Sequence, residues 1–410
     1  MKFYPAKSFD TEDEFDDFLL RTDGELKRIG RYGKEAIGLL SGGADSTSSG
    51  ILAHTVLGPR LHGVHIETAF MRKGECKDVL WYLNSACRLP VVYKDLSDEF
   101  LPRVIDAGKD SEKKREAFSE TYFEAARKLA NEFEAEIIVQ GTIKPDVVES
   151  EGGIKRQQNV LTEKWLKRYD AEGIIVAEPL LNLYKPQSRH ILRHYSIPEE
   201  ITGREPFPGP GLSVRIVGQV TPEKLEILKE ADAIVTPVLK YYTKKFVKKD
   251  SQCICAIMDN KTEEIGASSA TDIECLKDRQ NPPRITRDKV TGMVEGKRTY
   301  TNMLLVDSPL VEPLSLIDVS NRIVKENLDK GIGRVAVLVE ELNADGKYNI
   351  FLRPVLTEKF ETAQVPPIER PNLKMISYAL KSKIPAEYLL DVAGVYYDVT
   401  PKPPATIEFE

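Results

Sequence analysis

Apolar and polar positions along the chain follow two periods. Residues 11–30 (TEDEFDDFLLRTDGELKRIG) space apolar side chains at helical intervals, with acids early and bases late, and so predict a capped helix. Glu35–Leu40 (EAIGLL) is a short apolar run that stops at SGGADSTSSG, after which ILAHTVLG resumes helical character. That pattern is a strand, a glycine loop and a helix. LHGVHIETAF, LPVVYKDL, AEIIVQGT and GIIVAEPL predict further strands, with a helix through Cys76–Cys87 and a long charged helix over Ser111–Phe133 between them. Apolar strands alternating with amphipathic helices pair in parallel and carry helices on both faces, so the first half is predicted to be α/β with a doubly wound parallel sheet.

The pattern breaks at Arg204–Leu212 (REPFPGPGL), where closely spaced prolines and glycines forbid both helix and central strand. Beyond it, TPEKLEILKEADAIVTPVLKYY predicts a helix, and RTYTNMLLVD, GRVAVLVEEL, KYNIFLRPVL and VAGVYYDVT predict strands around two more helices, an α+β texture. This half repeats itself. GKRTYTNMLLVDSP, LIDVSNRIVKENL and GRVAVLVEEL are echoed by GKYNIFLRPVLTE, LKMISYALKSKI and VAGVYYDVTPK, the copies starting at Gly296 and Gly346. Domains at 1–205 and 206–410 are expected, the second holding a duplicated subdomain over about 290–340 and 341–402.

Composition narrows the class. Lys and Arg number 58 and Asp and Glu 64, a net charge of −6 that disfavours nucleic acid as the main partner. No apolar run reaches the length of a membrane span, and the acidic N-terminus lacks a signal-peptide core, so a cytoplasmic protein without membrane partners is expected. The five cysteines, Cys76, Cys87, Cys253, Cys255 and Cys275, suit reduced thiols better than a disulfide framework. Cys253 and Cys255 alternate within QCICAIM as strand residues do, and no second Cys/His pair stands at ligand spacing.

The chemistry concentrates in Ser41-Gly42-Gly43-Ala44-Asp45-Ser46, between a buried strand and a helix. Free backbone N–H groups and the helix dipole make such a junction an anion site. Two glycines let the backbone approach a phosphate, the hydroxyls add donors, and Asp45 can hold a divalent metal against the anion. The common P-loop lysine is absent. Taken alone, the hexapeptide could also be a plain strand-to-helix connection.

The loop resembles the SGGxDS loop of the N-type ATP pyrophosphatases, which split ATP between the α- and β-phosphates. Further segments narrow the resemblance. Gln140–Ser150 (QGTIKPDVVES), Met71–Glu75 (MRKGE), Pro206–Leu212 (PFPGPGL), VTPEKLEILKEADAIV and Lys402–Glu410 (KPPATIEFE) are similar, in collinear order over almost the whole chain, to segments of the synthetase part of GMP synthases. The chain begins too close to SGGADS to hold that family's glutaminase domain, and no Cys/His/Glu triad for glutamine hydrolysis is visible.

The resemblance implies an adenine nucleotide α-hydrolase-like domain followed by an α+β dimerisation domain, in a homodimer. The implied substrates are Mg-ATP, xanthosine monophosphate and ammonia. Ser41, Gly42, Gly43, Asp45, Ser46 and Gly141 would bind ATP and the departing pyrophosphate, and Asp45 and Lys155 would be catalytic. Asp45, Asp146 and Glu149 would hold Mg²⁺, the last two being three residues apart and so on one face of a helical turn. Lys155, Gln157, Gln158 and Asn159 match a lid that closes over ATP. Arg72, Pro208, Gly209, Arg298, Lys402, Thr406 and Glu408 match positions that handle the acceptor nucleotide, where cations suit the monophosphate and Glu408 would orient or neutralise them.

The chain departs from the family pattern at an adenosine contact (VDNG), on a face associated with the glutaminase interface (FKDE) and at several positions that would line the acceptor nucleotide. The two histidines of the IKxHHN lid are Gln157 and Gln158, which hydrogen-bond but carry no proton near neutral pH. VDNG becomes Ile66-Glu67-Thr68-Ala69, FKDE becomes Tyr184-Lys185-Pro186-Gln187, GDxRT becomes Glu295–Thr299, and DFMT becomes Lys359–Thr362. Three readings stand. The chain is a GMP synthase synthetase subunit fed ammonia by a separate glutaminase chain or from solution, a paralogue that activates a different oxo-purine, or a silent nucleotide-binding homologue. Asp45, Asp146, Glu149 and Lys155 argue against the third, and the glutamine pair keeps it open.

Overall fold

Five short strands form the first sheet: β1 (Glu35–Leu39), β2 (Leu61–Glu67), β3 (Val91–Asp95), β4 (Ala135–Val139) and β5 (Ile175–Ala177). In this computed structural model, which describes residues 1–151, 160–203, 207–246, 251–264, 282–307, 312–357 and 362–410, they pair in parallel in the order β3-β2-β1-β4-β5. Alternate residues serve opposite faces. Ala36, Ile137 and Val139 pack with Phe15, Phe18, Leu52 and Ile191, whereas Ile37, Leu39 and Ile138 pack with Phe123, Leu129, Trp165 and Tyr169. Both faces are thus covered, and the doubly wound parallel sheet expected from the sequence is present.

Local chemistry sets the helix ends. Thr11 caps the helix Glu12–Ile29 through a capping box with Glu14, as its acid-first order predicts. The strand read as GIIVAEPL is only three residues long, because Pro179 offers no N–H and the chain turns at once, Leu181 N donating to Glu178 O. A helix over Ser97–Asp106 was not legible, since Pro102 lies inside it. Among the described residues no helix is long and apolar enough to cross a membrane.

The chain separates into two compact units, Met1–Ala107 with Glu112–Pro210, and Gly108–Ser111 with Gly211–Glu410. The second unit carries β6 (Ser251–Asp259), β7 (Thr262–Glu264), β8 (Arg284–Thr286), β9 (Val290–Val294), β10 (Lys297–Val306), β11 (Ile332–Glu341), β12 (Tyr348–Leu356) and β13 (Val392–Asp398). The path is β6-β12-β13-β11-β10-β8-β7, with β9 paired to the start of β10. Two strand–helix–strand pieces, β10–Pro313–Asn327–β11 and β12–Arg370–Lys383–β13, each pair in parallel and meet through the antiparallel β11/β13 ladder.

Candidate functional site

The strand order of the first unit reverses between β1 and β4, the place where open α/β sheets form a crevice at the strands' carboxyl ends. Two segments leave the sheet there. After β1, Leu40 N still bonds Val64 O at 2.9 Å, Gly42 takes φ 77°, and the helix Ala44–Leu57 starts at Gly43 with no side chain capping its N–H groups. The serines stiffen the turn: Ser41 N donates to Ser46 Oγ at 3.2 Å, the two hydroxyls lie 3.0 Å apart, and Ser46 Oγ donates to Gly43 O at 3.2 Å. The loop is a preformed cradle with the positive end of a helix behind it.

After β4, Gly141 lies directly on that cradle. A Cβ added to it would come within 2.6 Å of Ser46 N and 2.7 Å of the Asp45 carbonyl carbon, so only glycine fits. Gln140, named in the motif but given no role from sequence, is 2 % exposed and neither end of its amide has a partner among the described residues. Its backbone is fixed on both sides, by Ala177 O at 2.9 Å and by the Ser49 hydroxyl at 3.0 Å. A buried unpaired amide marks a place where a ligand could complete the bonding.

Asp45 Oδ1 is likewise buried, with no hydrogen-bond partner among the described residues. An orphaned carboxylate oxygen in the first turn of an uncapped helix suits a cation that also binds phosphate, so the residues present fit Mg²⁺. Among the described residues no group of three His, Cys, Asp or Glu side chains is arranged to hold a metal. Asp146 and Glu149 both fall on the helix Lys144–Glu151, as their spacing predicts, and Asp146 Oδ2 accepts from Ile143 N at 3.2 Å. The side chain of Glu149, and all of Lys155, Gln157, Gln158 and Asn159, lie outside the described residues. Sequence reading missed Glu178, just past β5. Burial raises its carboxyl above the usual carboxylate range, opposed by a hydrogen bond from Thr142 and reinforced by the charge of Asp146.

Of the three acceptor-side candidates in the first unit, Arg72 packs on the segment that carries the other two. The Arg72 guanidinium lies 4.5 Å from the ring centroid of Phe207, beside Pro208 and Gly209 in the PFPGPGL loop. The turn leading to Arg72 is strained. Ala69 takes φ 71° where the family segment has glycine, held by Glu67 Oε1 accepting from Ala69 N at 2.9 Å. Glu67 Oε2 also accepts from Cys76 Sγ at 2.9 Å, and burial with this acid neighbour drives the Cys76 thiol far up, while burial alone pushes Cys87 up to about 11. At pH 8 both are expected to label on the order of a hundredfold more slowly in the folded protein than after unfolding in urea, as read by mass mapping of their peptides. Equal native and unfolded rates would contradict the burial of these thiols.

The other four acceptor-side candidates belong to the second unit. Arg298 sits opposite Met293 in the β9/β10 hairpin, whose turn residues Glu295 and Gly296 both have positive φ. The other edge of β9 takes the C-terminal segment, Met293 N donating to Pro404 O at 2.6 Å and Thr291 N to Phe409 O at 2.9 Å. Lys402 is held through its backbone by two bonds with Ala363. Thr406 Oγ1 lies 2.6 Å from Thr291 Oγ1 and accepts from Arg334 at 2.7 Å. The Glu408 carboxylate takes two 3.1 Å bonds from Arg215, a residue that is 1 % exposed and that the sequence reading passed over. Glu408 therefore neutralises a buried arginine of its own unit.

A family model for the GMP synthase C terminal domain matches residues 334–409. Over 394 residues the chain is 34% identical to one of the subunits of the glutamine-hydrolyzing GMP synthase of Saccharolobus islandicus (strain M.14.25 / Kamchatka #1), covering 94% of this chain and 98% of that protein. The proteins of the same name from Methanopyrus kandleri and Methanocaldococcus jannaschii are 34% and 31% identical over 379 residues, each covering 92% of this chain and 93% of the relative.

Proposed function

The chain belongs to the glutamine-hydrolyzing GMP synthase family, and from that premise we propose that it is a carbon–nitrogen ligase that aminates xanthosine monophosphate to GMP, converting ATP to AMP and pyrophosphate. The observation that carries this reading is the uncapped helix start of Gly43–Ser46 at the sheet's switch point, closed from behind by Gly141 and holding an unpartnered Asp45 oxygen. In the first step the C2 oxygen of the base attacks the α-phosphate and pyrophosphate departs. Ammonia then attacks C2 and displaces AMP, losing a proton to water.

The chain's part is to receive the departing anion. The N–H groups at the start of Ala44–Leu57 stand ready for pyrophosphate, and the hydroxyls of Ser41 and Ser46, bonded to each other and, for Ser46, to Gly43 O, would rotate to donate to it. Asp45, Asp146 and Glu149 would hold Mg²⁺, which when bound neutralises charge on the phosphates. Arg72, Pro208 and Gly209 of the first unit, and Arg298, Lys402, Thr406 and Glu408 of the second, are each proposed to serve the acceptor nucleotide, with ammonia supplied by a separate glutaminase chain. A homodimer through the C-terminal unit is the assembly this reading carries with it, to be checked by sedimentation.

The test is pyrophosphate release with Mg-ATP, ammonium and a panel of nucleotides led by xanthosine monophosphate. One GMP, one AMP and one pyrophosphate per turnover are expected by mass spectrometry. Release with another oxo-purine nucleotide and none with xanthosine monophosphate would replace this reading by the paralogue.

A further inference from the structure

The last residues of the chain are held from beneath by two arginines with no accessible surface. Arg334 on β11 and Arg353 on β12 are both 0 % exposed, and both bond the same carboxylate oxygen, Asp398 Oδ2 on β13, at 2.9 and 2.8 Å. Asp398 Oδ1 is occupied by Thr400 N at 2.9 Å. Two guanidiniums thus share one carboxylate, and main-chain carbonyls, with the Thr406 hydroxyl, accept from their other nitrogens. Arg353 reaches Thr406 O at 2.6 Å, Ile407 O at 2.8 Å and Thr400 O at 2.9 Å. Arg334 reaches Thr291 O at 3.0 Å, Thr406 O at 3.2 Å and Glu408 O.

Such a cluster is a costly way to stabilise a fold, because apolar side chains of the same volume would do as well without burying charge. Burial and the second guanidinium indeed pull Arg334 well below the usual arginine range. What the pair supplies is fixed geometry: three consecutive carbonyls, those of Thr406, Ile407 and Glu408, are each tied to a guanidinium whose own position three strands set.

We propose that Arg334 and Arg353, joined through Asp398, are positioning residues for the acceptor nucleotide, holding the backbone of Thr406–Glu408 so that the acceptor side keeps its shape without either arginine touching the ligand. This rests on the functional reading above, in which the KPPATIEFE segment serves the acceptor. The β9 strand links the segment to Arg298, so a shift of the carbonyls moves both edges of β9.

The variants Arg353→Met and Arg353→Lys test the assignment by steady-state kinetics of the full chain with Mg-ATP, ammonium and xanthosine monophosphate. A misplacement of about 1 Å can cost about a hundredfold, so Arg353→Met is expected to raise the KM for xanthosine monophosphate about ten- to a hundredfold with the KM for ATP within about twofold. Arg353→Lys keeps a charge and donors and is expected to restore part of the loss; should the methionine variant fail to fold, the lysine variant decides on the same split. Unchanged KM values, a parallel rise in both, or an effect confined to kcat overturns the assignment. A parent chain that releases no pyrophosphate with xanthosine monophosphate overturns the functional reading and this assignment with it, whereas a parent that turns over beside variants that keep its KM overturns the assignment alone.

Discussion

Replacing Asp45 with alanine is expected to slow pyrophosphate release about a hundred- to a thousandfold, the range for losing a group that stabilises charge developing on a transition state. The expectation is large because Asp45 Oδ1 has no structural employment: it is buried, and no hydrogen bond among the described residues uses it. Removing it costs the fold only the favourable interaction of an acid with the first helical turn, about 0.3–1 kcal/mol. The variant is therefore expected to melt within a few degrees of the parent while losing turnover. Parent-like release from folded protein would remove the loop from the reaction.

Gly141→Ala is the second large effect. The new methyl would lie 2.6–2.7 Å from three backbone atoms, Ser46 N, the Asp45 carbonyl carbon and Ser46 Cα, and backbone cannot rotate aside as a side-chain tip can. Either β4 or the Ser41–Ser46 cradle must shift. Overpacking of this kind costs about 1–3 kcal/mol, and displacing the cradle by about 1 Å is expected to lower kcat/KM for ATP about a hundredfold. Gly24→Ala is the control: that residue is exposed in the helix Glu12–Ile29 with open space at its Cβ position, and a helical alanine there is expected to leave turnover unchanged. If Gly141→Ala matches Gly24→Ala in activity, the close packing of the two loops has no part in binding ATP.

Neighbouring residues alone determined much of this protein. A short apolar run, two glycines and serines before a run of helical character specify strand, cradle and helix, because each choice depends on side chains only a few positions away. The acid-to-base order of residues 11–30 specified a capped helix for the same reason, and a spacing of three between Asp146 and Glu149 sufficed to put both on one helix. Where a local rule was broken, sequence reading faltered: Pro102 concealed a helix, and Pro179 cut short a strand that the apolar run had extended.

Tertiary structure decided how distant segments meet. The order β3-β2-β1-β4-β5 is what lays Gly141 on the Asp45–Ser46 peptide, and no pattern within either segment records that contact. The motif marks Thr406 and Glu408 for the acceptor side, but only the register of three strands brings their backbone to Arg334 and Arg353 and the Glu408 carboxylate to Arg215. The physical reason is range. Helix caps, turns and hydrophobic periods are fixed by interactions within about one turn of chain, whereas the burial of a charge is decided by which strands pair and which carboxylate or carbonyl that pairing brings within reach.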